Sequence, residues 1–193
     1  MENKFNTNPN IINKAIIFAV RAHKDTYRKG SNTPYILHPI EAATIVSTMT
    51  EDYNLISAAI LHDVIEDTDV TYELLKEEFG VIADLVAFES ENKRRERPPE
   101  ETWHIRKKET IDFFMSNAKK ESKIVALGDK LSNMRSIYRD YERMGDDLWN
   151  KFNEKNKNEQ GWYYKSMVEA LKDLKEFQAY QEFKDLVYRV FLN

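Results

Sequence analysis

The stretch that most restricts how this chain can fold is Ala58 to Thr68, Ala-Ala-Ile-Leu-His-Asp-Val-Ile-Glu-Asp-Thr, which sets four ionisable side chains in an otherwise apolar run of helical character. Burying such groups is costly unless something pairs with them. On a helix, His62 and Glu66 are spaced i,i+4, Asp63 and Glu66 i,i+3, and Asp63 and Asp67 i,i+4, so these pairs stack on neighbouring turns of one face. One cation could satisfy much of that cluster. A plainer alternative stays open at this point, since an isolated His-Asp pair often marks only a capped or surface histidine.

What surrounds that run is expected to be helical. Five Gly and five Pro in 193 residues, beside abundant Glu, Lys, Leu, Ala and Ile, favour long helices with short connections. With 41% hydrophobic and 12% aromatic residues the chain can bury a core of its own, so one compact all-α domain is expected. The absence of cysteine limits any metal ligands to His and carboxylates. The polar start, Met1 to Asn10, is unlike a signal peptide, and apolar runs such as Ala15 to Val20 are too short to span a bilayer. A cytoplasmic protein without a membrane partner is the expectation. The net charge of −4 argues against nucleic-acid binding and requires a local basic pocket for any anionic substrate.

In chain order, a first helix is expected from Asn8, with Pro9 at its first position, to about Thr26. A basic loop follows, Tyr27 to Thr33, where Arg28 and Lys29 are either a solvated turn or an anion contact. Pro34-Tyr35-Ile36-Leu37-His38-Pro39 leads into a second helix reaching about Thr50, which puts His38 at a helix entrance. Thr71 reads as the N-cap of a helix ending at Phe79 with Gly80 as its stop, and an amphipathic segment covers Val81 to Glu91. Glu91 to Glu101 is a charged linker, either an exposed loop or a basic lid over an anionic ligand. Thr102 is expected to cap the next helix, in which Trp103 and Ile105 pack and Arg106, Lys107 and Lys108 offer positive charge. Another helix starts near Ser122, and Asp129 interrupts its apolar face, as a carboxylate facing a cation would. After the polar loop Asn153 to Gln160, closing helices are expected over Trp162 to Phe177 and Tyr180 to Leu192. Together these segments make a bundle of about eight to ten helices.

His38 after Pro-Tyr-Ile-Leu, the block His-Asp-Val-Ile-Glu-Asp-Thr from His62 to Thr68, and Leu-Gly-Asp-Lys-Leu-Ser-Asn-Met-Arg from Leu127 to Arg135 together resemble the HD superfamily of metal-dependent phosphohydrolases. Within it they are similar to the (p)ppGpp hydrolase branch of the RelA/SpoT proteins, and the chain's size is similar to that of the stand-alone small alarmone hydrolases. The resemblance covers about Ile12 to Arg139 and reaches weakly to Trp162-Tyr163-Tyr164. The basic loop is one residue longer than in the long enzymes, and Gly128 stands where alanine is usual.

The resemblance implies a single HD domain over residues 1–193, with a motif-bearing core at about 12–139 and C-terminal helices at about 161–192 packed on it. It implies one divalent ion, manganese in this family, held by His38, His62, Asp63 and Asp129, with Glu66 and Asp67 positioning the nucleophile and moving its proton. Arg28 and Lys29 would hold the guanine end of the substrate, Asn133 the nucleoside, and Tyr163 would face the ligand, whereas Arg135 is expected in a structural ion pair. The activity implied is removal of pyrophosphate from the 3′ position of ppGpp or pppGpp, giving GDP or GTP. Two alternatives accompany it: the same site acting on another nucleotide, such as the 2′-phosphate of NADPH, and a nucleotide-binding regulator that does not turn over. The intact Glu66-Asp67 pair disfavours the regulator. The implied partner is a small nucleotide, and the oligomeric state is left open.

Overall fold

The computed structural model describes residues 8–89, 91–94, 96–116 and 118–192. The start of the chain, Met1 to Thr7, Ser90 of the amphipathic segment and Arg95 of the charged linker lie outside the described residues. Among the described residues there are ten α-helices and two 3₁₀ turns and no β-strand, in accord with the all-α expectation.

Helix α1, Pro9–Ala22, begins where expected, with the Asn8 side chain accepting from the Asn10 amide at 3.1 Å. It stops four residues earlier than expected, because His23 leaves helical geometry and Asp25 takes a left-handed φ of 60°. The basic loop is closed by Arg28 N–H to the Thr33 carbonyl and Tyr35 N–H to the Thr26 carbonyl, each 2.9 Å, so it is a fixed element rather than a loose turn. Helix α2, Leu37–Ser47, carries His38 at its second residue. Helix α3, Tyr53–Leu61, is buried continuously from Leu55 to Leu61, as suits a helix that is apolar all round and enclosed by its neighbours.

The expected single helix through Asp67 is interrupted. His62 and Asp63 form a turn, and α4 is only Val64–Asp67. The cause is local: Nδ1 of His62 takes the Ala59 carbonyl at 2.8 Å, the acceptor that the Asp63 amide would use in an unbroken helix. The break turns the two side chains inward together.

Helix α5, Tyr72–Phe79, has the Thr71 cap and the Gly80 stop read from the sequence, with Gly80 at φ 57°. It is followed by α6, Val81–Glu89. Helix α7, Pro99–Ser116, starts three residues before the expected Thr102 cap. Pro99 opens it, and buried Thr102 instead donates to the Pro99 carbonyl from within the helix. Trp103 packs as expected, but Ile105 is exposed. Helix α8, Lys120–Met144, begins two residues before Ser122 and ends at Gly145 with φ 57°. A 3₁₀ turn, Gly145–Lys151, leads on to α9, Lys157–Ala170, which starts earlier than Trp162 because Asn156 caps it. A second turn, Lys172–Leu174, precedes α10, Gln178–Phe191. Helix α10 lies on α8 and α9 on α7, and one buried apolar core is continuous from Ala15 to Phe191.

The contact that positions the site is between α2 and α8. At Gly128 a Cβ would fall 2.6 Å from Cγ2 of Val46 and 2.8 Å from the Ala42 carbonyl oxygen, so glycine lets the two backbones approach.

Candidate metal centre and its cleft

Three separate pieces of chain deliver the expected ligands to one point: α2 brings His38, the break between α3 and α4 brings His62 and Asp63, and α8 brings Asp129. Nε2 of His38 lies 3.1 Å from Oδ1 of Asp129 and 3.5 Å from Oδ2 of Asp63. Nε2 of His62 lies 2.9 Å from Oδ2 of Asp63 and 3.5 Å from Oδ1 of Asp129. Ligand atoms of His38, His62 and Asp129 all fall within 4.8 Å of one another.

The hydrogen bonds behind the rings set their chemistry. His62 Nδ1 faces the Ala59 carbonyl, an acceptor only, so Nδ1 carries the proton. Ser132 Oγ donates to Oε2 of Glu41 at 2.8 Å and therefore presents a lone pair to His38 Nδ1 at 2.9 Å, so that nitrogen also carries its proton. Both rings thus turn Nε2 toward carboxylate oxygens, and Nε2 of His62 is buried with no hydrogen-bond partner. Burial holds the His38 ring below its usual value and so neutral, whereas at His62 burial is outweighed by Asp63 and Asp129, which raise that ring well above it. The neutral His38 ring therefore faces Asp129 with a lone pair, a contact that a cation between them relieves, and a divalent ion can replace the proton that His62 holds between its ring and Asp63. Two imidazoles and two carboxylates are a donor set that fits a divalent transition ion.

The carboxylates are ionised. Burial opposes this, but the His62 ring overcomes it at Asp63 and Lys130 at Asp129, so both carboxyls sit well below the usual range. Asn133 links this centre to the basic loop: its Nδ2 donates to Oδ1 of Asp129 at 2.6 Å, and its Oδ1 accepts from Arg28 at 2.8 Å. Arg28 also lies over the Tyr35 ring, 5.6 Å from its centroid. The Tyr35 hydroxyl reaches Oδ2 of Asp63 at 2.6 Å and Oδ2 of Asp67 at 2.9 Å.

Glu66 differs from the other carboxyls. Burial, reinforced by the negative charges of Asp63 and Glu91 and only partly offset by Lys93, pushes it up to about 7. A carboxyl poised there can take and return a proton near neutral pH. Lys93 bonds to Asp67 and stands 3.4 Å from Oε1 of Glu66. Within the charged linker, Glu91 is bound to Arg106 and Lys107, each at 2.7 Å, and to Thr110 at 3.1 Å. Its described part is therefore anchored to α7 and to the site.

All ten expected site residues line one cleft of about 770 Å³, including Lys29 at its rim and Tyr163 on its wall. The Tyr163 hydroxyl is buried without a hydrogen-bond partner, and Lys107 sits over its ring at 4.7 Å. Arg135 forms the expected ion pair, with Glu182 at 2.6 and 2.7 Å and Glu41 at 3.3 Å. Tyr35, Lys93, Lys130 and Ser132 were not singled out by the sequence reading. Tyr35 and Ser132 lie inside the recognised blocks, one three residues before His38 and one three after Asp129, whereas nothing local marks Lys93. The lining carries ten Lys and Arg against seven Asp and Glu, an excess of positive charge in a chain of net charge −4.

An all-helical bundle that gathers two histidines and two aspartates beneath a cation-rich cleft defines a class of helical metal-centre proteins. The HD domain family model matches residues 15–158, and the chain belongs to that family. It is 34% identical over 136 residues to a Danio rerio protein named guanosine-3′,5′-bis(diphosphate) 3′-pyrophosphohydrolase MESH1, covering 67% of this chain and 70% of the relative. A Haemophilus influenzae protein with the same enzyme name is 36% identical over 120 residues, covering 60% of this chain but only 17% of that longer protein. Among solved structures, one described as a metazoan ortholog of SpoT that hydrolyzes ppGpp superposes with a TM-score of 0.71 at 25% identity, covering 93% of this chain and 94% of that one. The structure of lmo0812 from Listeria monocytogenes gives a TM-score of 0.70 at 27% identity, covering 83% of this chain and 97% of that one.

Proposed function

We propose that this chain is a metal-dependent phosphohydrolase that removes pyrophosphate from the 3′ position of ppGpp or pppGpp, giving GDP or GTP. The observation that carries this reading is the convergence of the Nε2 atoms of His38 and His62 on the carboxylate oxygens of Asp63 and Asp129, at the base of a cleft with excess positive charge. The names of the Danio rerio and Haemophilus influenzae relatives support the same substrate. His38, His62, Asp63 and Asp129 would hold one divalent ion, and we assign manganese. Bound there, the ion supplies Lewis-acid activation of water and neutralises charge at the attacked phosphoryl group.

The chain's own groups do the rest. Glu66 takes the proton of the attacking water at its carboxylate, and Asp67, held by Tyr35 and Lys93, orients that water. Arg28 and Lys29 hold the guanine end, Arg28 being fixed by Asn133 and stacked on Tyr35, and Tyr163 offers its unpartnered hydroxyl to the bound nucleotide. The continuous core supports one catalytic unit over the whole chain. Among the described residues no helix is long and apolar enough to cross a membrane, which fits a cytoplasmic enzyme acting on a small nucleotide.

The test is a product assay on purified protein stripped of metal and then supplied with manganese, zinc or magnesium. Release of pyrophosphate and GDP from ppGpp, dependent on added metal and absent from His62→Ala, is expected. Turnover of NADPH in preference to ppGpp would reassign the substrate, and nucleotide binding without turnover under every metal would make the chain a regulator.

A further inference from the structure

The cleft extends well beyond the His/Asp cluster. Helix α8 runs along it, and Asp129, Asn133, Ser136, Arg139, Asp140 and Arg143 recur on it at helical spacing, forming one stripe toward the cavity. At about 1.5 Å per residue, the stripe carries the cleft about 21 Å from Asp129 to Arg143. The outer end faces the 3₁₀ turn Gly145–Lys151, which contributes Lys151.

Lys151 is held from two sides. Its Nζ pairs with Oδ2 of Asp140 at 2.9 Å, and its stem crosses Gly30, where a Cβ would lie 3.0 Å from Lys151 Cδ and Cγ. Gly30 has φ +67°, so only glycine suits both the backbone and the contact, and the loop bearing Arg28 is seated on Lys151. Arg143 shares the same carboxylate, 2.8 Å from Oδ1 of Asp140. Arg139 is exposed and has no hydrogen-bond or ion-pair partner among the described residues. Two cations thus share one carboxylate and a third, Arg139, stands unpaired beside them on α8, too far along the helix to touch a group reacting beside Asp129.

We infer that this outer end is a second anion subsite, taking the 5′-phosphate chain of a nucleotide whose 3′-diphosphate lies at the His/Asp cluster. The inference rests on the nucleotide reading above. The stripe orders the ligand: the cluster takes the 3′ group, Arg28 and Asn133 take the nucleoside, and Arg139, Arg143 and Lys151 take the 5′ phosphates.

Arg139→Ala and the Arg139→Ala/Arg143→Ala double variant test it, because an exposed, unpartnered Arg139 can be truncated without disturbing the core. Steady-state kinetics compare ppGpp with guanosine 3′-diphosphate bearing a free 5′-hydroxyl. Removing charge-assisted phosphate contacts should raise KM for ppGpp roughly tenfold or more while kcat changes little, and should leave KM for the 5′-hydroxyl substrate near wild type. A loss shared equally by both substrates, or none on ppGpp in the double variant, overturns the subsite. Calorimetry with GDP and guanosine, neither of which carries the group to be hydrolysed, makes the test independent of turnover. Wild type must bind GDP more tightly than guanosine, and the double variant must erase most of that difference; equal wild-type affinities overturn the inference. If wild type prefers GDP yet hydrolyses neither 3′-diphosphate, the hydrolase reading fails and the subsite stands.

Discussion

Ser132 fixes the ring of His38: its Oγ accepts from Nδ1 at 2.9 Å while donating to Oε2 of Glu41 at 2.8 Å. Glu41 is in turn bridged through Arg135 to Glu182 of α10, so a relay from the last helix sets the direction of a candidate ligand. Outer partners of this kind hold tautomer and orientation, and their loss typically weakens metal binding by roughly 10–100-fold. Ser132→Ala should therefore lower manganese affinity by about that factor, measured by titration calorimetry, with the helical spectrum unchanged. Wild-type affinity in this variant would remove Ser132 from the site's support.

Gly128 makes a second prediction about the same two helices. Alanine in a helix interior is intrinsically better than glycine by about 1 kcal/mol. Here, however, the added methyl would meet the Ala42 carbonyl oxygen at 2.8 Å, and that atom belongs to backbone and cannot rotate away. Overpacking of this kind costs about 1–3 kcal/mol, so Gly128→Ala should lower the melting temperature and also weaken metal binding, since α2 and α8 carry His38 and Asp129. A variant more stable than wild type would show that α2 yields freely at this contact.

The parts of the molecule that could be read in advance are those where a residue contradicts its neighbours. Ionisable His62, Asp63 and Asp129 in apolar runs need a partner, and Asn8, Thr71 and Gly80 punctuate helices by local chemistry. What could not be read depends on side chains meeting across the fold. The break at His62 arises because its ring takes the Ala59 carbonyl, which periodicity does not register. Thr102 has the residue type of a cap, but Pro99 begins the helix three residues earlier and Thr102 is buried. Lys93 and Tyr35 join the site only through tertiary contacts with Asp63, Glu66 and Asp67, and Lys151 only because Gly30 leaves room for its stem.

Glu91 should give the protein an acid-sensitive anchor. Burial alone would push its carboxyl up, but Lys107 and then Lys130 and Arg106 hold it down to about 2, below the ordinary 4.5. A depressed folded-state value contributes stability that is present above pH 4.5 and is lost as pH falls through 4.5 toward 2. With about 1.4 kcal/mol per pKa unit, the contribution is at most roughly 3 kcal/mol. Glu91→Gln should accordingly unfold at lower urea than wild type at pH 7, and the gap should narrow steadily below pH 4.5. A gap that stays constant down to pH 2 would mean that the loss is one of packing rather than charge.

Glu66 separates chemistry from binding. Glutamine keeps its shape and can still accept from the Glu91 amide, which lies 3.2 Å from Oε2, but it cannot take a proton from water. Glu66→Gln should therefore retain stoichiometric metal and a near-normal KM while kcat falls by roughly 10²-fold or more. The same substitution should act in the opposite direction on stability. Burial raises the folded-state carboxyl from 4.5 to about 7, so the folded protein holds that proton more tightly than the unfolded chain does. Stability is then lost as pH rises from 4.5 through 7, by at most roughly 3 kcal/mol, and the neutral amide escapes that loss. Metal-free Glu66→Gln should thus be more resistant to urea than metal-free wild type at pH 8, and the two should converge below pH 4.5. A variant that is both slow and less stable at pH 8 would mark Glu66 as a structural support whose removal damages the site. Full turnover in the glutamine variant would transfer the base role to another group, with Asp67, already oriented by Tyr35, the next to replace.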